Sequence, residues 1–142
     1  YTTDMEKLYS LQSDGEYLYF FESTQSRETK SYFTAIDMNG TLKAQYEMEY
    51  DEEFLEKAKK YYEQYPEDTS VVADASGICV YGIDERYILM GSNSDSDVYK
   101  NLKSLNSKPY KKVITTGVGV INKMDYLNSG TASIKQIYQN LS

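Results

Sequence analysis

Residue types that make or break bonds are thinly represented in this 142-residue chain. Histidine is absent and Cys79 is the one cysteine. No Ser-His-Asp triad, Cys-His pair or His-ligated metal can therefore be assembled, and no intrachain disulfide can close. Cys79 lies in the apolar run ICVYGI, where a thiol behaves as a small hydrophobe. The spacing that bears on chemistry is NSDSD. Asn93, Asp95 and Asp97 alternate as the first ligands of a calcium-binding loop do. Such a loop needs glycine at its sixth position and a bidentate glutamate at its twelfth; here those places hold Val98 and Ser104. The stretch is a calcium candidate lacking two defining residues, and the competing reading is a solvated loop between strands. No GxGxxG or Walker A run is present; Gly117-Val118-Gly119 lacks the remainder of either. The 22 acidic residues could supply a carboxylate pair, but no spacing singles out two of them. The expectation is no enzyme and no cofactor.

One element is plain from spacing. In DEEFLEKAKKYYEQY, Asp51 to Tyr65, the residues Phe54, Leu55, Ala58, Tyr61, Tyr62 and Tyr65 fall on one helical stripe, with charges opposite. Asp51 suits an N-cap, Glu52 and Glu53 suit the positive end of the dipole, and Pro66 stops the run. The spacing predicts a surface helix laying its tyrosine face on a sheet.

The rest reads as short strands. Met5, Leu8 and Tyr9 sit in a lead-in that is helical or extended. Strands are expected at EYLYFF, at SYFTAIDM and TLKAQYEM around Asn39-Gly40, within VVADASGICVYGI, and at YILMG, VYKNL and KKVITTGVGVI. Glu22 to Lys30, Ser92 to Asp97 and Asn128 to Gly130 read as loops or turns, and the last segment, 131–141, leans to strand. In the hairpin, a two-residue turn would put Ile36 opposite Lys43 and Tyr32 opposite Glu47. A three-residue loop, Met38-Asn39-Gly40, puts Ile36 opposite Leu42, Thr34 opposite Ala44 and Tyr32 opposite Tyr46. That register collects apolar groups on one side and is preferred.

The halves echo one another. DGEYLYFFES at Asp14 to Ser23 aligns with DERYILMGSN at Asp84 to Asn93, each followed by a polar loop, a tyrosine-bearing strand (Tyr32, Tyr99) and a turn. The pattern resembles the blade repeat of β-propellers of the TolB/PD40 kind, over about half the chain. The resemblance implies an all-β, propeller-like arrangement with the helix inserted between blades. A propeller needs at least four blades, so closure would come from other subunits or further chain. From the residues themselves the expected fold is α+β, mostly antiparallel β meanders making one sheet, with the amphipathic helix at about 51–65. The chain reads as one domain, 1–142, with β-rich halves at about 12–50 and 71–121.

Leu, Ile, Val and Phe make up only roughly a fifth of the residues. The 16 tyrosines supply the missing ring area, so the core should be tyrosine-rich. The net charge of −7 opposes binding to nucleic acid or an anionic membrane and favours a protein partner, a basic one included. No apolar run is long enough to cross a membrane as a helix. The function expected is a non-enzymatic binding or interaction domain of an exported bacterial protein, extracellular or on the cell surface. The alternative is an acidic immunity-type inhibitor of a basic toxin domain.

Overall fold

Asp14 and Asp84 build the same turn. In the computed structural model, Asp14 Oδ1 accepts from the amides of Glu16 at 2.9 Å and Tyr17 at 2.7 Å. Asp84 Oδ1 accepts from Arg86 at 2.8 Å and Tyr87 at 2.7 Å. A side-chain carboxylate bonded to its own backbone two and three residues on reverses the chain tightly.

The structure describes residues 1–3, 7–24, 30–48, 52–68, 78–92, 117–130 and 135–139. Each aspartate turn joins the first two strands of an antiparallel meander. One sheet is β1 (Lys7–Ser13), β2 (Tyr17–Ser23), β3 (Ser31–Asp37) and β4 (Leu42–Glu47), neighbours in that order. The other is β5 (Ile78–Ile83), β6 (Tyr87–Ser92), β7 (Gly117–Asn122) and β8 (Lys135–Gln139), again in order. Helix α1 (Glu52–Gln64) lies between the sheets in sequence, and α2 (Lys123–Ser129) joins β7 to β8. The fold is α+β. It holds two four-stranded sheets where meanders making one sheet were expected. The lead-in pairs with β2, and the last segment is a strand that pairs with β7.

The repeat holds at the level of register. Ser13 opposes Leu18 as Ile83 opposes Ile88, and Tyr9 opposes Phe21 as Cys79 opposes Gly91. Both first strands bulge at the same place, between Tyr9 and Gln12 and between Val80 and Gly82. In the third strands, Tyr17 opposes Asp37 as Tyr87 opposes Asn122. The counterpart of β3 is thus β7. Tyr99 and the strand expected at VYKNL lie outside the described residues. Asp37 and Asn122 both use a side-chain oxygen to end their strand. Asp37 accepts from the amides of Asn39 and Thr41, each at 2.9 Å, and closes a hairpin. Asn122 accepts from Asp125 at 3.0 Å and caps α2. The turn expected at Asn128 to Gly130 is corrected to the end of this helix. Gly130 (φ 69°) is its left-handed C-cap. Seven residues are too few for helical periodicity to register in the sequence.

The hairpin uses the three-residue loop, with Gly40 at φ 82° and Ile36 opposite Leu42. Beyond Ile36 a bulge in β4 shifts the register. Thr34 meets Gln45 and Tyr32 meets Glu47, in place of the expected Ala44 and Tyr46. The slip carries Ala44 and Tyr46 onto the side of Ala35 and Phe33, which is the buried side. Helix α1 is found as expected; its expected cap, Asp51, lies outside the described residues. Only part of its stripe is used. Ala58 is buried and Tyr61 and Tyr62 pack on the core, but Leu55 and Tyr65 are 44% and 49% exposed. The exposed Lys57–Glu53 pair, at 3.2 Å, contributes only about 0.3–0.5 kcal/mol.

The core lies between the sheets. Tyr19, Phe21, Phe33, Ala35 and Ala44 of the first sheet share one buried cluster with Val80, Ile88, Met90 and Ile121 of the second, and Tyr126 and Leu127 of α2 join it. The faces that meet are not equivalent. By register, Ile88 and Met90 are the counterparts of Leu18 and Phe20, which lie on the opposite side of β2 from Tyr19 and Phe21. The two sheets therefore pack front to back.

Polar ties cross the same interface. Lys123 Nζ lies 3.0 Å from Asp14 Oδ2, with the two side chains only 12% and 7% exposed. The Tyr19 hydroxyl donates to the same oxygen at 2.8 Å. Burial by itself would raise the Asp14 carboxyl. The amides of Tyr17 and Glu16, the Lys123 ammonium and the Tyr19 hydroxyl outweigh it and hold the pKa down to about 2. The edge strands β1 and β5 are tied through Val80. Its amide donates to Ser10 Oγ at 2.8 Å, and its carbonyl accepts from Gln12 Nε2 at 3.1 Å.

Candidate functional site

Two places carry groups that the fold alone does not explain. The first is on the back of the first sheet, the side of Leu18, Phe20 and Glu22. Glu22 is 1% exposed. The sequence suggested that it begins a polar loop, but β2 continues through it to Ser23. Pairing with Tyr32 fixes it within the sheet. Its Oε1 accepts from the Tyr1 hydroxyl, from Gln45 Nε2 at 3.2 Å and from Thr34 Oγ1 at 3.4 Å. Its Oε2 is buried and has no hydrogen-bond partner among the described residues. Burial, and then the bond to Glu22, raise the Tyr1 phenol above its ordinary value. The cluster offers hydrogen-bond donors around one carboxylate. Acid–base work on a glycosidic bond takes two.

Removing this carboxylate has a measurable cost. Glu22→Ala removes the acceptor that the Tyr1 and Thr34 hydroxyls and the Gln45 amide share, and should destabilise the fold by about 1–3 kcal/mol. Glu22→Gln keeps an accepting oxygen and should cost less. Urea unfolding of both variants checks the ordering, and equal midpoints would refute it.

The second place is the front of the second sheet. Alternation and pairing put Tyr87, Leu89, Cys79, Val120 and Asn122 on this face. Tyr81 projects from the bulge of β5 and exposes 48% of its surface, and Tyr87 exposes 42%. Leu89, Val120 and Cys79 are half-buried. Burial and a hydrogen bond with the Cys79 side chain raise the Tyr81 phenol. The equivalent face of the first sheet carries Tyr19 and Phe21, 0% and 2% exposed under the second sheet. On the second sheet the corresponding face is open at Tyr87, half-buried at Leu89 and buried at Gly91.

The calcium candidates Asn93, Asp95 and Asp97 lie outside the described residues. Among the described residues no three His, Cys, Asp or Glu side chains gather around a common point. No helix among them is long and apolar enough to cross a membrane. Neither place was singled out by sequence spacing. Glu22 is a lone acid in an apolar strand. The open tyrosine face depends on which sides of two similar sheets meet, and only the alignment of Tyr17 with Tyr87 hinted at it. No protein-family model, curated protein or solved structure matches the chain.

Proposed function

We propose that this chain is a non-enzymatic binding module that engages a protein partner through the front of its second sheet. The supporting observation is the contrast between equivalent faces. Tyr17 packs against the core and Tyr19 is wholly buried, while their counterparts are open, Tyr87 at 42% exposure and Leu89 half-buried. Tyrosine offers large contact area with few rotatable bonds to freeze, which suits a recognition surface. The blade resemblance fits the same reading. Each sheet is a four-stranded antiparallel meander packed face to face on the next, and propellers are built of such units. An exported bacterial protein, acting at the cell surface or beyond it, is the setting that goes with this composition.

The acidic-inhibitor reading draws on a different surface. Glu52, Glu53, Glu56 and Glu63 are all exposed on α1, in a chain of net charge −7. One experiment separates the two. A photo-crosslinking phenylalanine analogue at Tyr87 should give a discrete adduct in an extract of the source cells. The same analogue at Lys59, exposed on α1, should give none. An adduct from Lys59 alone, fading steeply as salt is raised, would replace the first reading with the second. No adduct from either position would remove both.

A further inference from the structure

We propose that the C-terminal end of α1 is a binding site for a small organic cation of the quaternary ammonium class, seated on the rings of Tyr61, Tyr62 and Tyr65 beside the Asp68 carboxylate. The site shares no residue with the front of the second sheet.

Helical spacing gathers the rings. The Tyr65 amide donates to the Tyr61 carbonyl at 2.8 Å, which sets Tyr65 one turn beyond Tyr61 just past the end of α1. The Tyr61 ring centroid lies 4.9 Å from that of Tyr65 and 5.6 Å from that of Tyr62, with the planes inclined at 44° and 81°. Rings so inclined form a wedge rather than a flat stack. Packing on the core accounts for Tyr61 and Tyr62. It does not account for Tyr65, which is 49% exposed.

A turn then brings a carboxylate to the rings. The chain reverses at Pro66-Glu67, with the Asp68 amide donating to the Tyr65 carbonyl at 3.1 Å. Asp68 Oδ2 accepts from the Tyr61 hydroxyl. That bond, with burial second, raises the Tyr61 phenol, so the ring stays neutral beside the carboxylate. The negative pole of the helix dipole falls at the same place, and the last turn of α1 holds no basic residue. Glu63 and Glu67 are exposed in the same stretch, in a chain of net charge −7.

The ligand class follows from these groups. Ring faces within about 6 Å, a carboxylate and a helix C-terminus all attract positive charge. A hard metal ion needs six or more oxygens, and among the described residues no three His, Cys, Asp or Glu side chains gather around a point. A weakly hydrated ammonium carrying methyl groups needs only aromatic faces and one counter-charge.

Titration of choline chloride with the 142-residue chain, followed by the choline N-methyl proton line, tests the site. The expected result is a saturable upfield shift, since protons over a ring face are shielded, with a dissociation constant on the order of 1 mM. Tyr65→Ala should weaken binding about fivefold or more and Asp68→Asn about threefold, while Tyr65→Phe keeps the ring and should change it less than about twofold. Tyr65 is exposed, so both variants there should keep the parent melting temperature, which circular dichroism checks. The neutral isostere of choline, with carbon in place of nitrogen, should bind at least about tenfold more weakly. Phosphatidylcholine vesicles that sediment the parent and not Tyr65→Ala would place the cation on a lipid headgroup. Choline binding without such sedimentation makes it a free solute. No shift up to about 50 mM choline, an isostere that binds as well as choline, or an affinity indifferent to Tyr65→Ala would each overturn the site.

Discussion

Tyr126→Phe should lower the unfolding free energy by about 1–3 kcal/mol, and Tyr126→Ala by about 3–5 kcal/mol. Tyr126 sits on α2, between the last two strands of the second sheet, yet its side chain belongs to the first sheet. The residue is 0% exposed. Its ring stacks on Phe33, centroids 4.9 Å apart. Its hydroxyl donates to the carbonyl of Phe33 at 2.6 Å and lies 3.3 Å from that of Ala44. Burial raises the phenol far above its ordinary value, so it remains a neutral donor throughout the working pH range. Removing the hydroxyl alone leaves two buried carbonyls short of a donor. Removing the ring also opens a cavity at the centre of the cluster both sheets share. Urea unfolding, followed by tyrosine fluorescence and by far-ultraviolet dichroism, measures both costs. A phenylalanine variant with the parent midpoint would show that those carbonyls are satisfied without Tyr126, and the account of the interface would fall.

Asp14→Ala and Asp84→Ala remove the same turn residue from the two halves, but their costs should differ several-fold. Asp84 is exposed, and its loss removes only a turn cap open to water. Asp14 is 7% exposed and also holds Lys123 and Tyr19. Its removal takes the paired carboxylate from a nearly buried ammonium, which costs about 3–5 kcal/mol. Adding Lys123→Met to Asp14→Ala should recover part of the loss, because the stranded charge goes with it.

The same carboxylate gives stability a pH dependence. Its folded pKa is lowered from 3.8 to about 2. A lowered carboxyl contributes stability that is fully present above its unfolded value and is lost as pH falls through the folded one. The window therefore runs from about pH 4 down to about pH 2, and the contribution is about 2 kcal/mol. Acid titration of the parent against Asp14→Ala should show the parent losing its advantage within that window. Parallel curves from neutral pH to pH 2 would refute the assignment.

Local chemistry was legible wherever it rested on neighbours in the chain. The stripe from Leu55 to Tyr65 announced α1, and Asn39-Gly40 announced the hairpin with its left-handed glycine. The match of Asp14 to Ser23 with Asp84 to Asn93 foretold the repeated turn and meander, though one sheet rather than two was expected of them. Where a step depended on packing, local signals ran out. The bulge in β4 follows from the need to bring Ala44 and Tyr46 to the buried side. The short helix α2 is held by the Asn122 cap and by the place its Tyr126 finds in the other sheet, so no periodicity revealed it. Glu22 looked like the start of a loop because nothing nearby in the sequence pairs with it; Tyr32, Thr34, Gln45 and Tyr1 do so only in the folded chain.

The sequence by itself determined the composition of the core, the repeated turns, the central helix and the lack of any histidine or disulfide chemistry. These follow from residue type and from spacing within a turn or a strand, which act over a few residues. Only the tertiary structure decided that two like sheets meet front to back. Whether Ile88 or Leu89 turns inward depends on what lies across the interface, since alternation along a strand offers both faces equally. That choice buried Tyr19 and left Tyr87 in solvent.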